Sequence, residues 1–169
     1  MTAPKVKLGA VRLGIGNAFA RMPFRFGVVT MDAAASLTLE LEMTVDGKHS
    51  VGYASDLLAY KWFDKRPEKT PADNVADLLW VVHLAASIAK DLPADTPFEL
   101  WKQLDVAVDR AALAGGFNRL GASFGVSMIE RAMIDGVGKA LGLSFRAMLT
   151  NDALGLRPVD IFPQLDGMS

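Results

Sequence analysis

The chain has no cysteine and only two histidines, His49 and His83, among its 169 residues. Without thiols there is no disulfide framework and no thiolate chemistry, a composition that suits a reducing compartment and sets the expectation of a cytoplasmic protein. The two histidines come with no third ligand at metal spacing, so neither is read as a metal ligand. There is also no excess of positive charge. The formal net charge is −1 with no Lys/Arg cluster, which excludes a nucleic-acid binder driven by phosphate attraction. No apolar run is long enough to predict a membrane span, because the longest, Leu78 to Ala89, is interrupted by His83 and Ser87. The N-terminus lacks the apolar core of a signal peptide. Internal repeats and low-complexity segments are missing as well.

What is abundant is apolar surface. Hydrophobic residues make up 51% of the chain, at the top of the ordinary range, which suggests a face that wants a partner. The length suffices for one domain.

Val6 to Leu13 reads as a first strand. Gly14-Ile15-Gly16 and Asn17 then open a long loop to about Asp32. The Gly14-x-Gly16 pair lacks the third glycine and the following helix of a dinucleotide fingerprint and is read as a strand end. The second strand is the clearest pattern. Leu37, Leu39, Leu41, Met43 and Val45 alternate with polar residues, a period of two with one buried face. Asp46-Gly47 turns the chain, and Lys48 to Ala54 returns. A two-residue loop would set Met43 opposite Ser50 and Leu41 opposite Gly52, leaving the apolar face half empty. A three-residue loop, Val45 to Gly47, pairs Leu41 with Val51 and Leu39 with Tyr53, and this register is preferred.

Ser55 to Lys69 reads as a second irregular stretch, with Tyr60, Trp62 and Phe63 among charges. Base stacking by these rings does not fit the neutral charge, so they are read as interdomain packing. Helices follow. Thr70-Pro71 is an N-cap with proline at the first helical position, ahead of a stripe from Val75 to Ala89. Thr96-Pro97-Phe98-Glu99 has the form of a capping box, and Gly115-Gly116 ends that helix. A third helix spans about Phe124 to Leu141. Its stripe is Ile129, Ala132, Met133, Gly136, Val137, Ala140 and Leu141. Arg131, Asp135 and Lys139 lie opposite at steps of four, and Gly142 sits at the stop. A short fourth helix runs from about Phe145 to Thr150. Glu130 and Asp135 are about 140° apart around the helix axis and do not converge for paired-carboxylate chemistry. Strands first and helices after is the α+β pattern: a three-stranded antiparallel meander followed by a bundle of three to four helices.

Three stretches, taken in order, resemble a known family: Pro23-Phe24, Asp46-Gly47 with its return through Ser55, and the helix from Ser127 to Gly142. The chain is similar to the N-terminal capping domain of the enolase superfamily, in the mandelate racemase and muconate lactonizing branch. The resemblance runs from about Val6 to Arg157 and departs from the family pattern at Gly138, where a larger residue is common. It implies an enolase N-terminal domain-like fold over residues 1–153 and a linker or arm over 154–169. A catalytic barrel needs roughly 200 to 250 residues, so the expectation is that it lies outside this chain.

In that family the cap closes over the barrel, and its first two loops help select the substrate. The resemblance therefore implies substrate contact from the loops Asn17–Thr30 and Ser55–Lys69, with Arg21, Phe24, Arg25, Phe26 and Tyr60 as the candidate residues. It implies no catalytic and no metal residue in this chain. Mg²⁺ is expected only with the barrel, where α-proton abstraction from a carboxylate substrate would take place. The implied partners are that barrel, in cis or in trans, and a small carboxylate substrate only in the complete enzyme. Nucleic acid and membrane are not expected. The alternative is a stand-alone binding or oligomerisation module that uses the apolar face for self-association. An independent small enzyme has no supporting constellation.

Overall fold

The computed structural model describes residues 2–27 and 29–167. Val28, inside the predicted first loop, lies outside the described residues, as do Met1, Met168 and Ser169 at the ends of the two predicted segments. Three antiparallel strands in the order β1-β2-β3 come first: β1 (Val6–Phe26), β2 (Val29–Val45) and β3 (Lys48–Leu57). Four helices follow, α1 (Pro71–Asp91), α2 (Pro97–Ala114), α3 (Arg119–Leu141) and α4 (Phe145–Thr150). The α+β meander-and-helices fold expected from the pattern is the one observed.

The alternating residues of β2 are buried as their period requires, with Leu37, Leu39 and Leu41 fully inaccessible. β1 joins the same face through Val6 and Leu8. Two of its residues, Gly9 and Ala10, then stand opposite Glu42 alone, between the pairs Leu8–Met43 and Val11–Leu41. This bulge resets the parity, so Val11 and Leu13 return to the apolar side. On the opposite face Arg12 bridges Glu40 and Glu42, at 2.5 and 2.7 Å.

The β2–β3 register corrects the sequence expectation. Asp46 and Gly47 both have positive φ, 48° and 79°, and form a two-residue loop of the primed type that matches strand twist. Met43 therefore pairs with Ser50, Leu41 with Gly52 and Leu39 with Ala54. The small residues of β3 face inward because α3 lies directly on them. A Cβ on Gly52 would stand 1.8 Å from the Ala132 carbonyl oxygen and 2.6 Å from the Gly136 nitrogen. The Ser50 hydroxyl donates to the Gly136 carbonyl at 2.8 Å. The space left on the apolar face is filled by a helix backbone rather than by β3 side chains.

α3 is the central helix. Ile129, Ala132, Met133, Gly136 and Val137 of its predicted stripe are buried, while Ala140 is exposed. It crosses α1 closely at Gly125, where a Cβ would stand 2.2 Å from the Val81 carbonyl oxygen. Its polar side closes the outer edge of the sheet. Asp135 accepts the Tyr53 N–H at 2.8 Å, and Arg131 donates to the Ser55 carbonyl at 3.2 Å and to Asp56 at 2.9 Å. Lys139 pairs with Asp135 at 2.5 Å. An edge strand is thereby kept from pairing elsewhere.

The helix ends follow local chemistry. Thr70 and Asp73 form a reciprocal capping box at α1. The full box expected at Thr96 does not form. Thr96 accepts the Glu99 N–H at 3.4 Å, but Glu99 turns to Lys102 at 2.8 Å, and Asp95 takes the Thr96 N–H instead. α3 starts at Arg119 rather than near Phe124, because Asn118 caps it by accepting the Gly121 N–H at 2.7 Å. Gly142, at φ 65°, ends it in the left-handed conformation. α1 is long and apolar enough to cross a membrane, but the inward residues Leu78, Val81, Val82, Ala85 and Ala89 are buried in the common core. After α4 the chain passes over the start of α2. Leu154 is buried and accepts the Phe98 N–H at 3.1 Å, and Asp160 pairs with Lys102 at 2.8 Å.

Candidate functional site

The first predicted loop is not a loop. β1 and β2 stay paired from Gly14–Thr38 to Phe26–Val29 and run past the helical layer as a two-stranded arm. The pairing breaks once, where Ala20 to Pro23 stand opposite Asp32. Pro23 has no N–H to give to a ladder. Along the arm Phe19 is 79% and Met22 70% exposed. Neither side of the arm is buried by the domain, so no alternation of apolar and polar residues marked it as strand.

The second stretch is shorter than expected, because β3 continues through Leu57. Residues 58–69 are then pinned at several points. The Leu58 N–H donates to the Ala35 carbonyl at 2.8 Å, and the Lys61 N–H donates to Oδ1 of buried Asn74 at 2.8 Å. Lys61 itself sits at φ 58°, a left-handed conformation that an L side chain adopts only when its surroundings impose it. Its ammonium bonds the Arg66 carbonyl and, at 2.9 Å, the Lys69 carbonyl. The hydrogen-bonded Arg66 guanidinium holds the Asp64 carboxyl below its ordinary range, against a smaller opposing effect of burial. Asn118 donates to the Phe63 carbonyl at 2.9 Å, and the Phe63 ring packs edge-on against Phe124 with centroids 5.1 Å apart.

This anchored loop faces the tip of the arm. Phe26 meets Trp62 edge to face, with centroids 5.5 Å apart and planes at 68°, and Phe24 lies 5.7 Å from Phe26. Between arm and loop opens a cleft of about 860 Å³. Phe26, Val29, Tyr60, Trp62, Pro67 and Leu120 give it apolar walls, and Lys61 and Lys65 line it as well.

Of the five predicted residues, Phe26 and Tyr60 line the cleft, and Phe24 supports Phe26 from the same side of β1. Arg25 falls between them and so takes the opposite face. Arg21 is exposed within the irregular part of the arm. Trp62, Lys65 and Leu120 are cleft residues that sequence reasoning did not select. The Asn118 cap was the available signal that α3 begins early enough to bring Leu120 there.

Elsewhere, Glu130 and Asp135 diverge as their spacing requires. Asp135 turns to the sheet edge. Glu130 lies in a crevice against Phe98, Trp101 and Met133, where burial raises its pKa, opposed by the charge of Arg131 and aided by Asp105. Among the described residues no three His, Asp or Glu side chains converge to hold a metal ion. His49 and His83 are both exposed.

No protein-family model and no curated protein matches the sequence. Solved structures do match in fold. An enolase from alpha pretobacterium bal199 with bound Mg superposes with a TM-score of 0.55 at 13% identity, over 80% of this chain and 32% of that one. A mandelate racemase/muconate lactonizing enzyme-like protein from Rubrobacter xylanophilus gives 0.52 at 18% identity, over 80% and 31%. An enolase from Bradyrhizobium complexed with magnesium and mandelic acid gives 0.51 at 17% identity, over 82% and 33%. The meander, the central α3 and these likenesses together give the chain the enolase N-terminal domain-like fold, spanning about a third of the length of the enolase and mandelate racemase/muconate lactonizing structures it resembles.

Proposed function

We propose that the chain is the capping, substrate-specificity domain of a mandelate racemase/muconate lactonizing-like enzyme. Such an enzyme acts on a carboxylate substrate by Mg²⁺-assisted α-proton abstraction. The observation that carries this reading is the cleft between the arm tip and the 58–69 loop, on a domain of this fold. Two segments more than thirty residues apart in sequence meet there, with Phe26 of the arm packed edge-on against Trp62 of the loop beside the open cleft. A lid needs that arrangement, because it encloses substrate without supplying chemistry. On this reading the metal and the proton-transferring groups belong to a barrel joined in cis or in trans. Phe26 and Tyr60 then wall the substrate with Phe24 behind Phe26, whereas Arg25, on the other face of β1, and Arg21, on the irregular part of the arm, reach a substrate only from outside the cleft. A cytoplasmic setting belongs to the same proposal.

The test is α-proton exchange in D₂O, followed by NMR on a panel of 2-hydroxy and sugar acids with Mg²⁺. The chain alone is expected to be silent. Joined to the barrel of a mandelate racemase-like enzyme in place of that enzyme's own cap, it is expected to support exchange with an altered range of acids. Exchange by the chain alone overturns the reading, and so does a folded hybrid with an unaltered substrate range.

A second reading, self-association, is favoured by the exposed apolar side chains of the arm, Ile15 at 59%, Phe19 at 79% and Met22 at 70%. It predicts a concentration-dependent dimer by light scattering that Phe19→Ser together with Met22→Ser abolishes. A wild-type monomer at 100 μM, a concentration of about that order, removes this reading.

A further inference from the structure

Resting on the lid reading, we propose that the cleft selects acids with a flat apolar group over polyhydroxylated acids of the same charge. Three aromatic rings, Phe26, Tyr60 and Trp62, line it together with the apolar side chains of Val29, Pro67 and Leu120. An edge-to-face pair uses only one face of its two rings, and Trp62 is still 53% exposed, so surface remains for a third ring. Of side-chain polar groups, a polyol entering the same space meets one phenol, one indole N–H and two ammonium groups. The Lys61 ammonium is already bonded to the carbonyls of Arg66 and Lys69. Most of the polyol's hydroxyls would lose water without gaining a partner. Charge on the lining fixes the sign of the ligand. Among the described residues the lining holds two lysines and no carboxylate, and Lys65 is exposed. An anionic head beside Lys65 with an apolar body against Trp62 satisfies both features, and the volume of about 860 Å³ is ample for such a molecule.

The experiment titrates the full ¹⁵N-labelled chain with phenylacetate, gluconate and benzyl alcohol, reading the Trp62 indole N–H and the Gly27 amide. Phenylacetate is expected to give saturable shifts at both positions, with gluconate at least about fivefold weaker. Benzyl alcohol should fall between them, since it keeps the ring and loses the charge. Lys65→Gln should weaken phenylacetate about two- to fivefold and leave benzyl alcohol unchanged. Trp62→Ala should weaken both ring compounds roughly three- to tenfold, and Trp62→Phe should restore most of the loss. Gluconate binding as tightly as phenylacetate overturns the proposal, as does the absence of saturable phenylacetate shifts at tens of millimolar. If a variant fails to fold, the wild-type preference between the two acids decides alone. The outcome is separable from the lid reading: a lid can prefer sugar acids, and a chain with this preference can still fail the exchange test with a barrel.

Discussion

Replacing Gly52 with alanine adds one methyl group to a core that has room for none at that point. The new carbon would lie 1.8 Å from the Ala132 carbonyl oxygen and 2.9 Å from its carbonyl carbon. Both belong to the backbone of α3, so no side chain can rotate away. Relief requires α3 to lift off β3 by more than an ångström. That movement loosens the packing of Met128, Ile129 and Met133, all fully buried, and stretches the Ser50–Gly136 and Tyr53–Asp135 hydrogen bonds. Overpacking usually costs about 1–3 kcal/mol, and a backbone obstacle puts Gly52→Ala at or above the upper figure, about 3 kcal/mol. Gly14→Ala supplies the contrast. It also sits in a strand, but its nearest neighbour is the Thr38 carbonyl oxygen at 4.0 Å, and its φ is not in the left-handed range. It should be neutral or stabilise by about 0.5 kcal/mol, through reduced freedom of the unfolded chain. Urea unfolding followed by tryptophan fluorescence and circular dichroism measures both. A Gly52→Ala protein within about 0.5 kcal/mol of wild type would refute the close approach of α3 and the two-residue register with it.

Three further outcomes follow from the same contacts. Burial raises the Glu130 pKa, so the folded state binds its proton more tightly than the unfolded chain. Stability therefore falls as pH rises from about 4.3, the ordinary glutamate value, through the raised folded value. Glu130→Gln should raise the urea midpoint at pH 7, with the advantage vanishing below about pH 4, and a lower midpoint at pH 7 would contradict the burial argument. Asn74→Ala removes the acceptor of the Lys61 N–H and should cost about 1–3 kcal/mol while speeding amide exchange across residues 60–66. Unchanged exchange there would show that Asn74 does not hold the loop. Thr70→Ala deletes one half of the α1 capping box and should cost about 1 kcal/mol in the same urea assay.

The helix ends could be read from the sequence because their causes are local. Thr70 with Pro71, and Gly142, each settle an end within one turn of chain; Asn118 ahead of Arg119 carries the same kind of signal, but the sequence reading starts α3 only near Phe124. The Glu99 side chain escaped that logic because Lys102, one turn on, competes for it. The arm could not be read, since alternation marks a strand only where one face is buried, and from Ile15 to Arg25 every residue of β1 but half-buried Ala18 is exposed. Its length rests instead on cross-strand pairing. The cleft was half legible. Phe26 and Tyr60 fall in the loops that the family resemblance singled out. Trp62 and Lys65 sit in the second loop outside the candidate set, and Leu120 arrives from a helix that begins five residues before the expected start near Phe124.

The β2–β3 register shows where residue-level reasoning reaches its limit. A three-residue loop brings Val51 and Tyr53 to the apolar side, which is favourable only where a buried face is filled by its own large side chains. The observed face carries Ser50, Gly52 and Ala54 instead, and it is buried because a helix backbone occupies the space. Helix and strand were each short of volume at the same place, Gly136 and Ala132 on α3 opposite Gly52 on β3. Small residues recurring at a period of two on a strand, paired with small residues four apart on a later helix, therefore mark contact rather than a vacancy. The Asp46-Gly47 dipeptide, a strong signal for a two-residue primed turn, agrees with that contact and outweighs the count of apolar side chains.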